Sequence, residues 1–138
     1  MSYAGDITPL EAWKLLSDNP NAVLVDVRTD AEWRFVGVPD LSGLGRDTVF
    51  IEWNTADGRH NDDFAEELRE RVPAGDTERP VIFLCRSGQR SIGAAEAATE
   101  LGITPAYNVL DGFEGHLDAR GHRGQSGWRA SGLPWRQG

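Results

Sequence analysis

The stretch that most constrains this chain is VIFLCRSGQRS, residues 81–91. Val81, Ile82, Phe83 and Leu84 are apolar in succession, without the in–out alternation of a half-exposed strand. Such a strand needs cover on both faces. The polar segment Arg86-Ser87-Gly88-Gln89-Arg90 then turns the chain, and Ser91 with the alanine-rich residues 92–101 reads as a helix. The only cysteine, Cys85, therefore falls where a buried strand meets a tight loop and a helix start. Successive backbone N–H groups of such a loop can point at one spot, and the helix adds its partial positive end. Arg86 and Arg90 add full charges. This concavity suits an anion, and the same surroundings favour a thiolate over a thiol. A lone cysteine at a strand end is otherwise a small buried hydrophobe. Two arginines, a glycine and a helix start beside it weigh for the reactive reading.

The 138 residues predict one domain, 1–138, with no internal repeat. A hydrophobic content of 39% and a charged content of 26% fit an ordinary soluble globule. The net charge of −8 weighs against nucleic acid and anionic membranes as partners. Any anion site must then be a local positive feature on a negative body. The start, MSYAGDITPLEAW, has no basic segment followed by an apolar core, and no run approaches the roughly 20 apolar residues of a membrane span. A cytoplasmic, reducing location is expected. With one cysteine there is no internal disulfide and no internal resolving thiol.

Along the chain, Thr8-Pro9-Leu10-Glu11 is a capping box with proline at the first helical position. Residues 22–27 (AVLVDV) read as a central parallel strand, and Thr29 to Glu32 as a second capping box for a short helix through Trp33. Residues 48–53 suggest a third strand. Asn61 is placed to cap a helix with Asp62 and Asp63 in its first turn and Phe64, Leu68 and Val72 on its inner stripe, stopped at Pro73-Ala74-Gly75. Residues 106–110 read as the last strand, turning at Asp111-Gly112. Strands alternating with helices predict an α/β domain with a mainly parallel sheet.

Three segments carry a resemblance. Cys85-Arg86-Ser87-Gly88-Gln89-Arg90-Ser91 is similar to the active-site loop of the rhodanese (sulfurtransferase) family: Cys, four residues, Arg, then Ser or Thr. Residues 26–33 (DVRTDAEW) resemble that family's first signature, and Asn108 to Phe113 its second, followed by a tail with Trp128 and Gly132-Leu133-Pro134. The resemblance implies a rhodanese-like α/β fold: a mainly parallel central sheet of about five strands with helices on both faces. It implies transfer of sulfane sulfur from thiosulfate or another persulfide donor to a thiol, cyanide or protein acceptor, through a persulfide on Cys85. Arg86, Ser87, Gly88, Gln89 and Arg90 would cradle the anion and the persulfide. Asp26, Arg28 and Ser91 would support the loop. No cofactor and no metal is implied.

The sequence also departs from that family. Gly37-Val38-Pro39 is one residue shorter than the usual segment and lacks its histidine, and the second signature lacks a second glycine. Residues 114–127 (EGHLDARGHRGQSG) form a longer, glycine-rich polar insert, expected to border the mouth of the site because it follows a parallel strand's carboxyl end. His116 and His122 lack a cysteine partner and a settled spacing, so a surface loop is expected rather than a metal site. Two other readings stand beside sulfur transfer. One is a phosphatase or arsenate-reductase-like enzyme on the same thiolate; the related phosphatases carry one more residue between Cys and Arg. The other is a non-catalytic binding module that kept the fold.

Overall fold

A computed structural model describes residues 3–55, 57–72 and 79–137. Its centre is a parallel sheet built on the two apolar runs: β2 (Val23–Asp26) and β5 (Val81–Leu84) pair in register, Val23 with Val81 through Asp26 with Leu84. β6 (Ala106–Val109) adds beside β5, β1 (Gly5–Ile7) beyond it, and β4 (Val49–Phe50) on the far side of β2. The order is β1-β6-β5-β2-β4, with every neighbouring pair parallel.

Both faces are covered, as consecutive apolar residues require. Val81 and Phe83 face α3 (Phe64–Arg71) and α4 (Arg90–Glu100), packing with Phe64, Leu68, Ala94, Ala95 and Ala98. Ile82 and Leu84 face the other way, against Ala12 and Leu16 of α1 (Pro9–Asp18) and against Phe113 and Trp128. The alanines let α4 approach the sheet closely, and Gly93 leaves no room for a side chain: a β-carbon there would lie 2.7 Å from the Trp53 ring.

Both capping boxes form. The Thr8 hydroxyl accepts from Glu11 N–H at 3.1 Å and Glu11 accepts from Thr8 N–H at 2.8 Å, opening α1; Thr29 and Glu32 do the same for α2 (Asp30–Phe35). Other expectations are corrected. The third strand contracts to Val49–Phe50, although Ile51 and Trp53 N–H still bond to β2 and the residue after it, at the carbonyls of Asp26 and Val27. α3 begins at Phe64 with Asp63 as its cap, so Asp62 and Asp63 precede the first turn, and Asn61 Oδ1 instead accepts from Asp63 N–H. The stop at Pro73-Ala74-Gly75 lies outside the described residues. β6 is followed by another strand: β7 (Trp135–Arg136) pairs antiparallel with β3 (Val38–Pro39). Among the described residues no helix is long and apolar enough to cross a membrane.

Candidate active site

Cys85 follows the last residue of β5, at the carboxyl edge of the sheet, and residues 86–89 bend into α4. Gly88 makes the bend possible with φ of 95°, a conformation other residues adopt only with strain. It also lies against the neighbouring turn, where a β-carbon would come 3.1 Å from Asp111 N. The bend aims Gly88 N–H at Cys85 Sγ, 3.2 Å away. From the first turn of α4 the Ser91 hydroxyl stands 3.1 Å from the same sulfur. Of the cradle amides expected from the sequence, Gly88 N–H is the one that reaches the thiol itself.

The other loop residues divide by exposure. Arg86 and Gln89 are exposed, Ser87 is half-buried, and Arg90 binds Glu32 of α2 in a two-pronged ion pair, at 2.8 and 2.9 Å. Burial alone would raise the Glu32 carboxyl. The hydrogen bonds and charge of Arg90, with those from Thr29, outweigh it and hold the group below the ordinary carboxylate range. For Arg90 burial pulls downward, and Glu32, with smaller contributions from Cys85 and Asp26, carries its guanidinium above the usual value. Glu32, read from the sequence as a helix cap within the first signature, is also the residue that holds Arg90. Its second partner lies 58 residues on.

Asp26 and Arg28 are brought to each other. Arg28 Nε and Nη2 donate to the Asp26 carboxylate at 2.9 and 2.7 Å, and both side chains are fully buried. Arg28 Nη2 also donates to Gly37 O, and its guanidinium lies over the Phe113 ring at 4.2 Å. Phe113 N–H in turn donates to Cys85 O at 2.8 Å, and Glu114 N–H to Arg86 O at 2.9 Å. The pair thus props the active loop from behind, through Phe113. Gly112 makes this contact possible: a β-carbon there would lie 2.2 Å from Cys85 O.

The 114–127 insert is rooted on that same contact and closed at its neck, where Gly115 packs on Ser126 and Gly127 on Gly115 N. His116 Nδ1 meets Asp111 at 3.2 Å and Ser126 Oγ at 2.9 Å, all on the surface. Among the described residues no three histidine, cysteine or acidic side chains gather as a metal would require. His60 is exposed and sets its ring edge-on against Trp53.

The family model described as the STR4 middle domain matches residues 5–138. The chain belongs to this rhodanese-like family. The STR4-type domain here is 36% identical over 130 residues to the uncharacterized protein RC0915 of Rickettsia conorii, covering 94% of this chain and 95% of that one. It is 30% identical over 129 residues to the thiosulfate sulfurtransferase GlpE of Actinobacillus pleuropneumoniae, covering 94% and 90%. The crystal structure of Rv0390 from M. tuberculosis superposes with a TM-score of 0.93 at 77% identity, covering 99% of this chain and all of that one. Each family signature read from the sequence lies at the carboxyl edge of the parallel sheet: the residues after β2, the Cys85 loop, and the turn after β6.

Proposed function

We propose that this domain transfers sulfane sulfur through a persulfide on Cys85. The observation that carries the reading is the convergence of Gly88 N–H and the Ser91 hydroxyl on a lone sulfur at the head of α4. The 30% identity to a thiosulfate sulfurtransferase supports it. The Cys85 thiolate attacks the outer sulfur of thiosulfate or of another persulfide donor. A sulfur–sulfur bond forms as the donor's breaks, and sulfite, or the donor thiolate, leaves with the electron pair. A thiol, cyanide or a protein acceptor then attacks the outer sulfur of the persulfide and releases the Cys85 thiolate. Backbone N–H groups and the helix end stabilise the developing negative charge. With four residues between Cys85 and Arg90 the cradle is narrow, which suits a single sulfur better than a phosphoryl group. Asp26, Arg28 and Glu32 hold the loop from outside; Arg86 attracts the anionic donor. No cofactor takes part, and a cytoplasmic location suits a thiol kept reduced.

One observation favours a second reading, a binding module without chemistry: Cys85 is 1% exposed. Sulfur transfer then requires the 86–89 loop to admit the donor. Intact mass after exposure to thiosulfate decides between the two. The catalytic reading expects a gain of one sulfur, reversed by reductant and absent in Cys85→Ser, together with thiosulfate–cyanide turnover. A protein that gains no mass and turns over no substrate is a binding module.

A further inference from the structure

Cys85 ends a buried polar chain that runs across the sheet to the surface. Ser91 Oγ contacts both Cys85 Sγ and Asn108 Oδ1. Asn108, on β6, spends its amide on the other side: Nδ2 donates to Asp6 Oδ1 at 3.0 Å and to Gly88 O at 3.3 Å. Cys85, Ser91 and Asn108 are at most 1% exposed, whereas Asp6, on the edge strand β1, is open to solvent and also accepts from the Tyr3 hydroxyl at 2.7 Å.

The donor count fixes the direction of this chain. A carboxylate and a carbonyl, both acceptors, hold the Asn108 Nδ2, so Oδ1 must face Ser91. Ser91 has one hydroxyl proton for two acceptors, Asn108 Oδ1 and the sulfur. With the proton on Oδ1, Ser91 Oγ accepts from Cys85 only if Cys85 carries S–H. With the proton turned to sulfur, a thiolate is satisfied and Asn108 Oδ1 is left buried without a donor.

We propose that Asn108 and Asp6 act as positioning residues that point the Ser91 hydroxyl away from Cys85 and hold the sulfur as a thiol until the hydroxyl turns. Deprotonation then has two coupled parts: Cys85 S–H gives its proton to solvent, and the Ser91 O–H rotates from Oδ1 to the sulfur. The inference rests on the reading of Cys85 as a working thiolate, and adds the device that sets its readiness. Other charged groups around the sulfur are accounted for. Arg90 is bound to Glu32 and Arg28 to Asp26, Arg86 is exposed on the loop, and Asp111 presents its backbone N to Gly88 and its carboxylate to His116.

The test is the pH titration of thiolate absorbance, which a single cysteine makes unambiguous with Cys85→Ser as blank. Asn108→Leu keeps the shape and removes the competing acceptor. The titration midpoint is expected to move to lower pH, with about tenfold more thiolate at a fixed pH below it. Asp6→Ala, at the exposed end where folding is not at stake, frees the Asn108 amide to turn over and is expected to move the midpoint the same way by less. In a Ser91→Ala background both shifts should vanish. A midpoint that stays, rises, or moves equally without the Ser91 hydroxyl overturns the proposal. Mass gain with thiosulfate is scored separately. Persulfide formation with an unresponsive titration removes the positioning role alone; a responsive titration without persulfide removes sulfur transfer alone.

Discussion

Gly112→Ala tests whether the turn after β6 sets the shape of the Cys85 loop. Gly112 has φ of 54°, and an added β-carbon would lie 2.2 Å from Cys85 O, 2.7 Å from Arg86 C and 2.8 Å from Arg86 O. These are backbone atoms, so no side chain can rotate aside. The left-handed conformation costs an alanine about 1 kcal/mol. Forcing the carbonyl back adds about 1–3 kcal/mol. It also pulls at the bonds from Phe113 N–H to Cys85 O and from Glu114 N–H to Arg86 O. The expected loss is about 2–4 kcal/mol, a fall in Tm of roughly 10 °C for a domain of this size. Displacement of the loop by about 1 Å should slow persulfide formation roughly 10²-fold. Gly102→Ala is the control. Its φ is 79°, but nothing lies within 4 Å of the added carbon. It should cost about 1 kcal/mol and leave the rate alone. Thermal melts and single-turnover mass spectrometry read both quantities. If Gly112→Ala behaves like Gly102→Ala, the close approach of the turn to the loop does not govern the site.

Glu32→Gln should destabilise by about 1–2 kcal/mol, between the values for exposed and buried pairs. Because the Glu32 carboxyl is depressed in the folded state, its contribution is present above the unfolded pKa of about 4.3 and is lost as pH falls through the folded one. The gap in Tm between wild type and variant should therefore close in acid; a gap constant with pH would contradict the ion-pair account. Asp26→Ala leaves the Arg28 charge buried with its partner gone and should cost roughly 3–5 kcal/mol by denaturant melts, whereas Asp26→Leu with Arg28→Met should cost less than Asp26→Ala alone. Deletion of residues 115–126 removes a loop whose ends already touch. It should leave Tm nearly unchanged and alter the ranking of thiol acceptors; identical acceptor kinetics would place the insert away from the mouth. Arg86→Gln should raise KM for thiosulfate several-fold at low salt with kcat retained, the gap narrowing as salt screens the exposed charge.

What the sequence made legible was local. Both capping boxes stand where the Thr-x-x-Glu spacing put them, because their bonds span three residues. The buried strands were visible because two-sided burial leaves consecutive apolar residues. The turn at Asp111-Gly112 also formed, with both residues at positive φ. What stayed hidden depends on partners far along the chain. β1 is three residues long and is a strand only because β6 lies beside it; Asp6 reaches Asn108 across 102 residues. The ribbon of β3 and β7 has two residues per strand, too few for any periodicity to register. Glu32 carried a sufficient local explanation as a cap, which concealed its bond to Arg90. Nor did Arg28 announce that its guanidinium would stack on Phe113 rather than face an anion.

The charges around Cys85 bear on how a body of net charge −8 would present the anion cradle proposed above. Arg90 and Arg28 are each neutralised by a carboxylate, at 2.8 and 2.7 Å, so neither offers a bare charge to the sulfur. What faces Cys85 Sγ at rest is dipolar: Gly88 N–H and the N-terminal end of α4, with the Ser91 hydroxyl close enough to turn toward it. Backbone dipoles fixed at contact distance are screened far less by salt than free surface charges, and they need no reorganisation as charge develops on sulfur; the Ser91 hydroxyl is the one group that must turn. The two ion pairs then serve by rigidity. One ties α2 to the start of α4; the other supports Phe113 behind the Cys85 carbonyl. Under the proposed function Arg28 and Arg90 hold the dipoles in place, and Arg86, exposed on the loop, would meet the approaching anion with its charge.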